Sequence, residues 1–190
     1  MKSVILFASG NGSNAENICK YFEHHNDIEI VALFCNNPEA KVIDKMKPFG
    51  IPVYVFSKKE FLDEQNFLPL INSYKPTLIV LAGFLLLVPK YLIKSFPNKI
   101  INIHPALLPH YGGKGMYGHH VHDAVLKAEE KKHGITIHYV NENFDEGEII
   151  FQKNFDVEKN DDHESIAKKI AELEMKNFPE VIEQLLNKQV

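Results

Sequence analysis

"TLIVLAG", residues 77–83, decides the architecture. From Leu78 to Ala82 the run is apolar without interruption, and a glycine closes it. A strand with one wet face alternates, whereas a strand covered on both faces does not. The run therefore reads as a strand of a parallel sheet with helices on both sides. The flanking text agrees. "SVILF" (3–7), "IEIVALFC" (28–35), "PVYVF" (52–56) and "KIINIH" (99–104) read as further strands. Helical stretches separate them: about 14–25, Lys41–Phe49, a segment that Ser57 opens as N-cap, and "KYLIKSF" (90–96). Such alternation predicts right-handed crossovers and a mostly parallel sheet.

After residue 118 the pattern changes. A helix (118–130) precedes "GITIHYV" (134–140) and "GEIIFQKNF" (147–155), with "NENFDE" as the turn between them. The two runs predict an antiparallel hairpin. Residues 162–187 read as helical, with a break expected at Pro179. The predicted fold is α/β, a Rossmann-like, mostly parallel sheet with flanking helices and a C-terminal antiparallel hairpin. It is read as one domain over residues 1–190, with a phosphate-binding half of about 1–100 and a catalytic half of about 80–190.

Composition narrows the partners. The chain has 190 residues, 45% hydrophobic and 24% charged, with a net charge of −4. Nothing in that balance favours nucleic acid or an anionic membrane. All 21 basic residues are lysine, so an anion must be held by lysine, backbone N–H groups, hydroxyls or amides. Cys19 and Cys35 form no CxxC pair and suggest no disulfide framework. The first apolar run is too short for a signal h-region or a membrane span, so the chain reads as cytoplasmic.

Two clusters carry chemistry. "SGNGSNA" (9–15) lies between the first strand and the first helix, and its Gly10-x-Gly12-x-x-Ala15 spacing is a loose dinucleotide fingerprint. A glycine turn in any α/β protein also fits, but Ser13 and Asn14 add donors at the helix start, which favours phosphate. A dinucleotide site needs an acid after the second strand, where this chain has Cys35, Asn36 and Asn37. A single phosphate is therefore favoured over NAD. The second cluster is "NIHPALLP" (102–109). Asn102 and His104 are two apart, hence on one face at a strand's carboxyl end. An amide beside an imidazole suits a developing oxyanion, and Pro105 and Pro109 would hold the exit loop rigid. Alone, the pair fits a strand-end cap and a surface histidine equally well. Asp145, in the hairpin turn, would orient His104 and raise its pKa.

With these segments quoted, the chain resembles the folate-dependent formyltransferases, and within them the phosphoribosylglycinamide (GAR) formyltransferases. "SGNGSN" (9–14), "LAGF" (81–84), "NIHPALLP" and "GITIHYVNENFDEGEII" (134–150) match that family's hallmark segments in order. The resemblance implies Asn102, His104 and Asp145 as the catalytic set, with His104 kept cationic by Asp145. It implies Gly12, Ser13, Asn14 and Glu174 as substrate-binding, with Glu174 on the ribose. It implies Lys59, Leu85, Leu86, Leu87, Val88 and Asn102 as folate-binding. The implied cosubstrate is 10-formyltetrahydrofolate and the implied acceptor is GAR, without a metal, as monomer or homodimer. The chain departs from family members that carry a basic residue where Leu86 stands, and Phe144 replaces the usual aliphatic residue.

Other features remain open. Lys114 in the glycine-rich loop 110–118 either reaches an anion or is simply exposed. His119 and His122 have metal spacing on a helix but no third ligand at a familiar distance. His122 is expected to line the substrate pocket. His138 either joins a second-shell network or is a satisfied structural histidine. Formyltransferases acting on sugar nucleotides or initiator tRNA, a folate deformylase, and a nucleotide-binding module without chemistry are the competing readings; those enzymes usually carry an additional domain.

Overall fold

The chain runs β1 (Lys2–Ala8), α1 (Ser13–Phe22), β2 (Ile28–Cys35), α2 (Val42–Met46) with a 3₁₀ turn (Lys47–Phe49), β3 (Val53–Val55), α3 (Lys58–Phe61) and α4 (Glu64–Ser73). It continues with β4 (Leu78–Leu81), α5 (Lys90–Ser95), β5 (Ile100–His104), α6 (His119–Lys127), β6 (Lys132–Tyr139), β7 (Ile149–Asp156) and α7 (His163–Lys188). This is a computed structural model that describes residues 1–188. All seven strands share one sheet, ordered β3-β2-β1-β4-β5-β6-β7. β1 to β5 pair in parallel, and β6 pairs antiparallel with both β5 and β7. Among the described residues no helix is long and apolar enough to cross a membrane.

The uninterrupted strands are buried on both faces because each face has its own core. Val4, Leu6 and Ala8 of β1 point to one side, against Ile18 of α1, Met46 of α2 and Phe178 of α7. Ile5 and Phe7 point to the other, into an aromatic cluster with Phe34, Phe56, Phe61, Phe67 and Phe84. Phe7 and Phe34 stack with centroids 5.1 Å apart. Such offset ring pairs add to what burial alone contributes. Ser57 caps α3 in a reciprocal capping box with Glu60, as the sequence suggests.

The predicted break at Pro179 does not occur: α7 runs unbroken from His163 to Lys188. A proline inside a helix leaves the carbonyl four residues earlier without its N–H. Here that carbonyl belongs to Met175, and the Asn17 side chain donates to it at 2.6 Å. The lost intrahelical bond is thereby replaced by one between α1 and α7. The prediction for α1 also overshot, since the helix ends at Phe22 rather than near residue 25.

Candidate active site

β5 brings two polar side chains to the floor of a cavity. Ile101 and Ile103 point into the core below α1 and α7, so Asn102 and His104, on the alternate face, point the opposite way. Both line a cavity of about 470 Å³ at the carboxyl ends of β4 and β5. The antiparallel register then sets Asn102 opposite His138 and His104 opposite Thr136. His138 therefore joins the same floor. Its Nδ1 donates to the Tyr139 carbonyl oxygen at 2.8 Å. Its Nε2 lies 3.2 Å from the Asn102 amide nitrogen. Thr136 ties down the proline-bounded exit loop. Its hydroxyl accepts from the Leu108 N–H at 3.0 Å and donates to the Ala106 carbonyl at 2.6 Å.

Asp145 arrives from the β6–β7 connection. Its φ is +57°, in the left-handed region, and the turn folds back so that its carboxylate reaches the floor. Gly147 permits that return, because a Cβ there would lie 1.6 Å from the Tyr139 carbonyl oxygen. This explains physically why the motif reads Asp-x-Gly. The carboxylate accepts from the Gly113 N–H at 3.0 Å and from the Asn102 amide at 3.4 Å. It lies 3.5 Å from His104 Nδ1 and 3.6 Å from His138 Nε2.

The charge state of this cluster differs from expectation in one respect. Burial opposes ionisation of Asp145, but the His138 contact, the His104 ring and the Gly113 N–H outweigh it and keep the carboxyl below its usual pKa. Burial likewise dominates at His104, and here it wins: the imidazole is held below its ordinary value although Asp145 and the Tyr111 carbonyl push it up. A resting imidazolium is thus replaced by a neutral ring beside a carboxylate. His104 Nε2 lies 2.7 Å from the Tyr111 carbonyl oxygen, which places the proton of the neutral ring on Nε2.

These observations meet the comparisons with known proteins. Residues 1–182 match the formyl transferase family. The chain belongs to the formyl transferase family. It is 39% identical to a phosphoribosylglycinamide formyltransferase of Bacillus subtilis (strain 168), over 98% of this chain and 95% of that one. The crystal structure of phosphoribosylglycinamide formyltransferase from Bacillus halodurans superposes with a TM-score of 0.89 at 32% identity, covering 100% of this chain and 97% of that one. The corresponding enzyme structure from Anaplasma phagocytophilum gives 0.88 at 32% identity, covering 98% and 88%. The mixed sheet with its antiparallel C-terminal strands is the architecture of those structures, and the chain is a formyl transferase enzyme.

The lining of the formyl transferase cavity is of two kinds. Leu85, Leu86, Leu87 and Val88 form one wall, and Val140 and Phe144 also line the cavity. Asn14 and Glu174 line it as well and are joined by a 2.9 Å hydrogen bond from the Asn14 amide to the Glu174 carboxylate. Burial raises Glu174 to about 7, with the Asn14 bond only partly opposing. Gly12 and Ser13 sit at the start of α1, next to Asn14 but outside the cavity lining. Gly12 has φ +74°, and a Cβ there would lie 2.3 Å from Val42 Cγ2, so neither its conformation nor its surroundings accept a side chain.

Two sequence expectations, for Lys59 and His122, lie away from the cavity, and two residues left open line it. Lys59 is exposed on α3, and the cavity does not extend to it. His122 does not line the cavity; it is buried beneath α6, with Nδ1 3.2 Å from His133 Nε2. The physical reason is helical phase, since Val121, His122 and Val125 form the inward face of α6. Lys114, left open by the sequence, is the one lysine that lines the cavity. His138 is the residue that sequence reasoning undervalued. Its signal was parity with Thr136 on β6, which became informative only through pairing with β5.

Proposed function

We propose that the protein transfers the formyl group of 10-formyltetrahydrofolate to the primary amine of 5-phosphoribosylglycinamide, a step of purine synthesis. The observation that carries this reading is one cavity lined by Asn102, His104, His138 and Asp145, by the apolar Leu85–Val88 segment and by the hydrogen-bonded Asn14–Glu174 pair. The names of the relatives supply the substrate class. The Leu85–Val88 wall suits the flat heterocycle of the donor. The first turn of α1, with Gly12, Ser13 and Asn14, suits the acceptor's phosphate, and Glu174 suits its ribose hydroxyls.

In this reading the amine nitrogen attacks the formyl carbon, and a C–N bond forms as the carbonyl oxygen becomes an oxyanion. The His104 Nε2–H and the Asn102 amide turn from their present acceptors to that oxygen, so their donation is strongest in the transition state. Asp145, already ionised, takes the amine's proton through water. Collapse breaks the bond from carbon to N10 of the folate, and that proton ends on N10. The whole chain is one formyltransferase domain on this account, and no metal and no covalent enzyme intermediate enter.

The test is formyl transfer by the purified protein with both substrates, followed by folate absorbance, with His104→Ala alongside. Turnover that requires the ribonucleotide and collapses in the variant is expected. Folate consumption without the ribonucleotide would instead mark a deformylase, and undiminished turnover in His104→Ala would remove His104 from the mechanism.

A further inference from the structure

The carboxyl ends of three neighbouring strands, β2, β1 and β4, meet at a single hydroxyl. Ser9 follows the last residue of β1 and is 7% exposed. Its N–H donates to the Gly83 carbonyl at 3.0 Å. Its Oγ donates to the Asn36 side-chain oxygen at 2.6 Å, just beyond β2. The same Oγ accepts from the Leu85 N–H at 2.9 Å, just beyond β4. A serine hydroxyl has one proton and two lone pairs. Asn36 takes the proton, which turns a lone pair toward Leu85. Ser9 does not itself line the cavity, but Leu85 opens its apolar wall. The next residue, Gly10, begins the turn that leads into α1, and its carbonyl accepts from the Val42 N–H at 3.2 Å.

We propose that Ser9, oriented by Asn36, is a positioning residue for the formyl donor: it fixes the Leu85–Val88 wall against the loop that receives the acceptor. The inference rests on the reading of that wall as the folate side of the cavity. Without the hydroxyl, the half-exposed Leu85 loses the hydrogen bond that ties its segment to the end of β1, and the segment is free to shift. The wall then meets the heterocycle in the wrong place, whereas the Gly12–Asn14 turn, held by Val42 and by α1 itself, keeps its geometry. The two substrates' affinities are thereby separable at one atom.

The experiment is calorimetric titration of the full chain with tetrahydrofolate on one side and ribose 5-phosphate on the other. Ser9→Ala and Asn36→Leu are compared with Asn36→Asp, which retains an acceptor for the Ser9 proton. Tetrahydrofolate binding weakens about tenfold in Ser9→Ala and Asn36→Leu, and stays within about twofold of the parent in Asn36→Asp. Ribose 5-phosphate binding stays within about twofold in all three. Wild-type tetrahydrofolate affinity in a folded Ser9→Ala overturns the proposal, as does an equal loss for both ligands, which would mean general loosening. Should Ser9→Ala not fold, the contrast between Asn36→Leu and Asn36→Asp decides. Failure of the unsubstituted protein to bind tetrahydrofolate at all is a separate outcome, and it overturns the folate reading together with this inference.

Discussion

His104 Nδ1 lies 3.5 Å from Asp145 Oδ2, yet burial holds the imidazole below its ordinary pKa. The pair therefore rests as neutral ring and carboxylate. Asp145 opposes the effect of burial, so removing its charge lowers His104 further. In Asp145→Asn the His104 titration, followed by NMR, moves to lower pH than in the parent, and kcat falls by about 10²-fold or more. A midpoint that rises on substitution would contradict the arrangement.

Glu174 carries opposite consequences for binding and stability. Its carboxyl is raised to about 7 from 4.5, so the folded state prefers the protonated form. That preference stabilises the fold fully below pH 4.5 and is lost as pH rises through 7. Glu174→Gln should therefore melt a few degrees higher than the parent at pH 8, with little difference at pH 4.5. In the proposed reading the ionised Glu174 accepts from the ribose hydroxyls, so KM for the ribonucleotide is expected to rise as pH falls below about 7 in the parent. The glutamine variant shows a high, pH-independent KM. Melting curves and KM at pH 5.5 and 8 check both halves.

The buried His122–His133 pair makes the fold acid-sensitive. Burial leads in lowering each to about 4. At His122, the His163 and His119 rings act in the same direction and Asp123 opposes; at His133, the His122 and His104 rings add to the lowering. An unfolded chain takes up these protons near pH 6.5, whereas the folded chain resists until about 4. Stability contributed by this pair is present above pH 6.5 and falls as pH drops from there toward 4. A His122→Gln/His133→Gln double variant should lose part of that acid slope. Chemical denaturation at pH 7.5 and 5 measures it, and an unchanged slope would show that other groups govern acid stability.

Gly147→Ala tests why the turn before β7 closes. The added methyl would collide with the Tyr139 carbonyl oxygen at 1.6 Å, so backbone must shift rather than a side-chain tip. Asp145 moves with the turn. Formyl transfer should fall by about 10²-fold, with a loss of about 1–3 kcal/mol in stability. Near-native activity would mean that the turn relaxes without carrying Asp145 away from His104.

The sequence by itself determined the parallel sheet, the Ser57 cap of α3, and the parity that sets Asn102 beside His104. These are local properties: apolar runs, period-two alternation and short-range hydrogen bonding act within a few residues, so one segment's text contains them. The acidic loop with Asp145 was also visible, because Asp-x-Gly is a compact turn. What the tertiary structure alone decided depends on segments far apart in the chain. The register of β5 against β6 made His138 a partner of Asn102. Crossing from α1 to α7 let Asn17 satisfy the carbonyl that Pro179 orphans, which kept α7 whole. Depth of burial set the charge of His104 against the sign that its nearest carboxylate suggests. Desolvation is a property of everything packed around a group, and no short stretch of sequence specifies it.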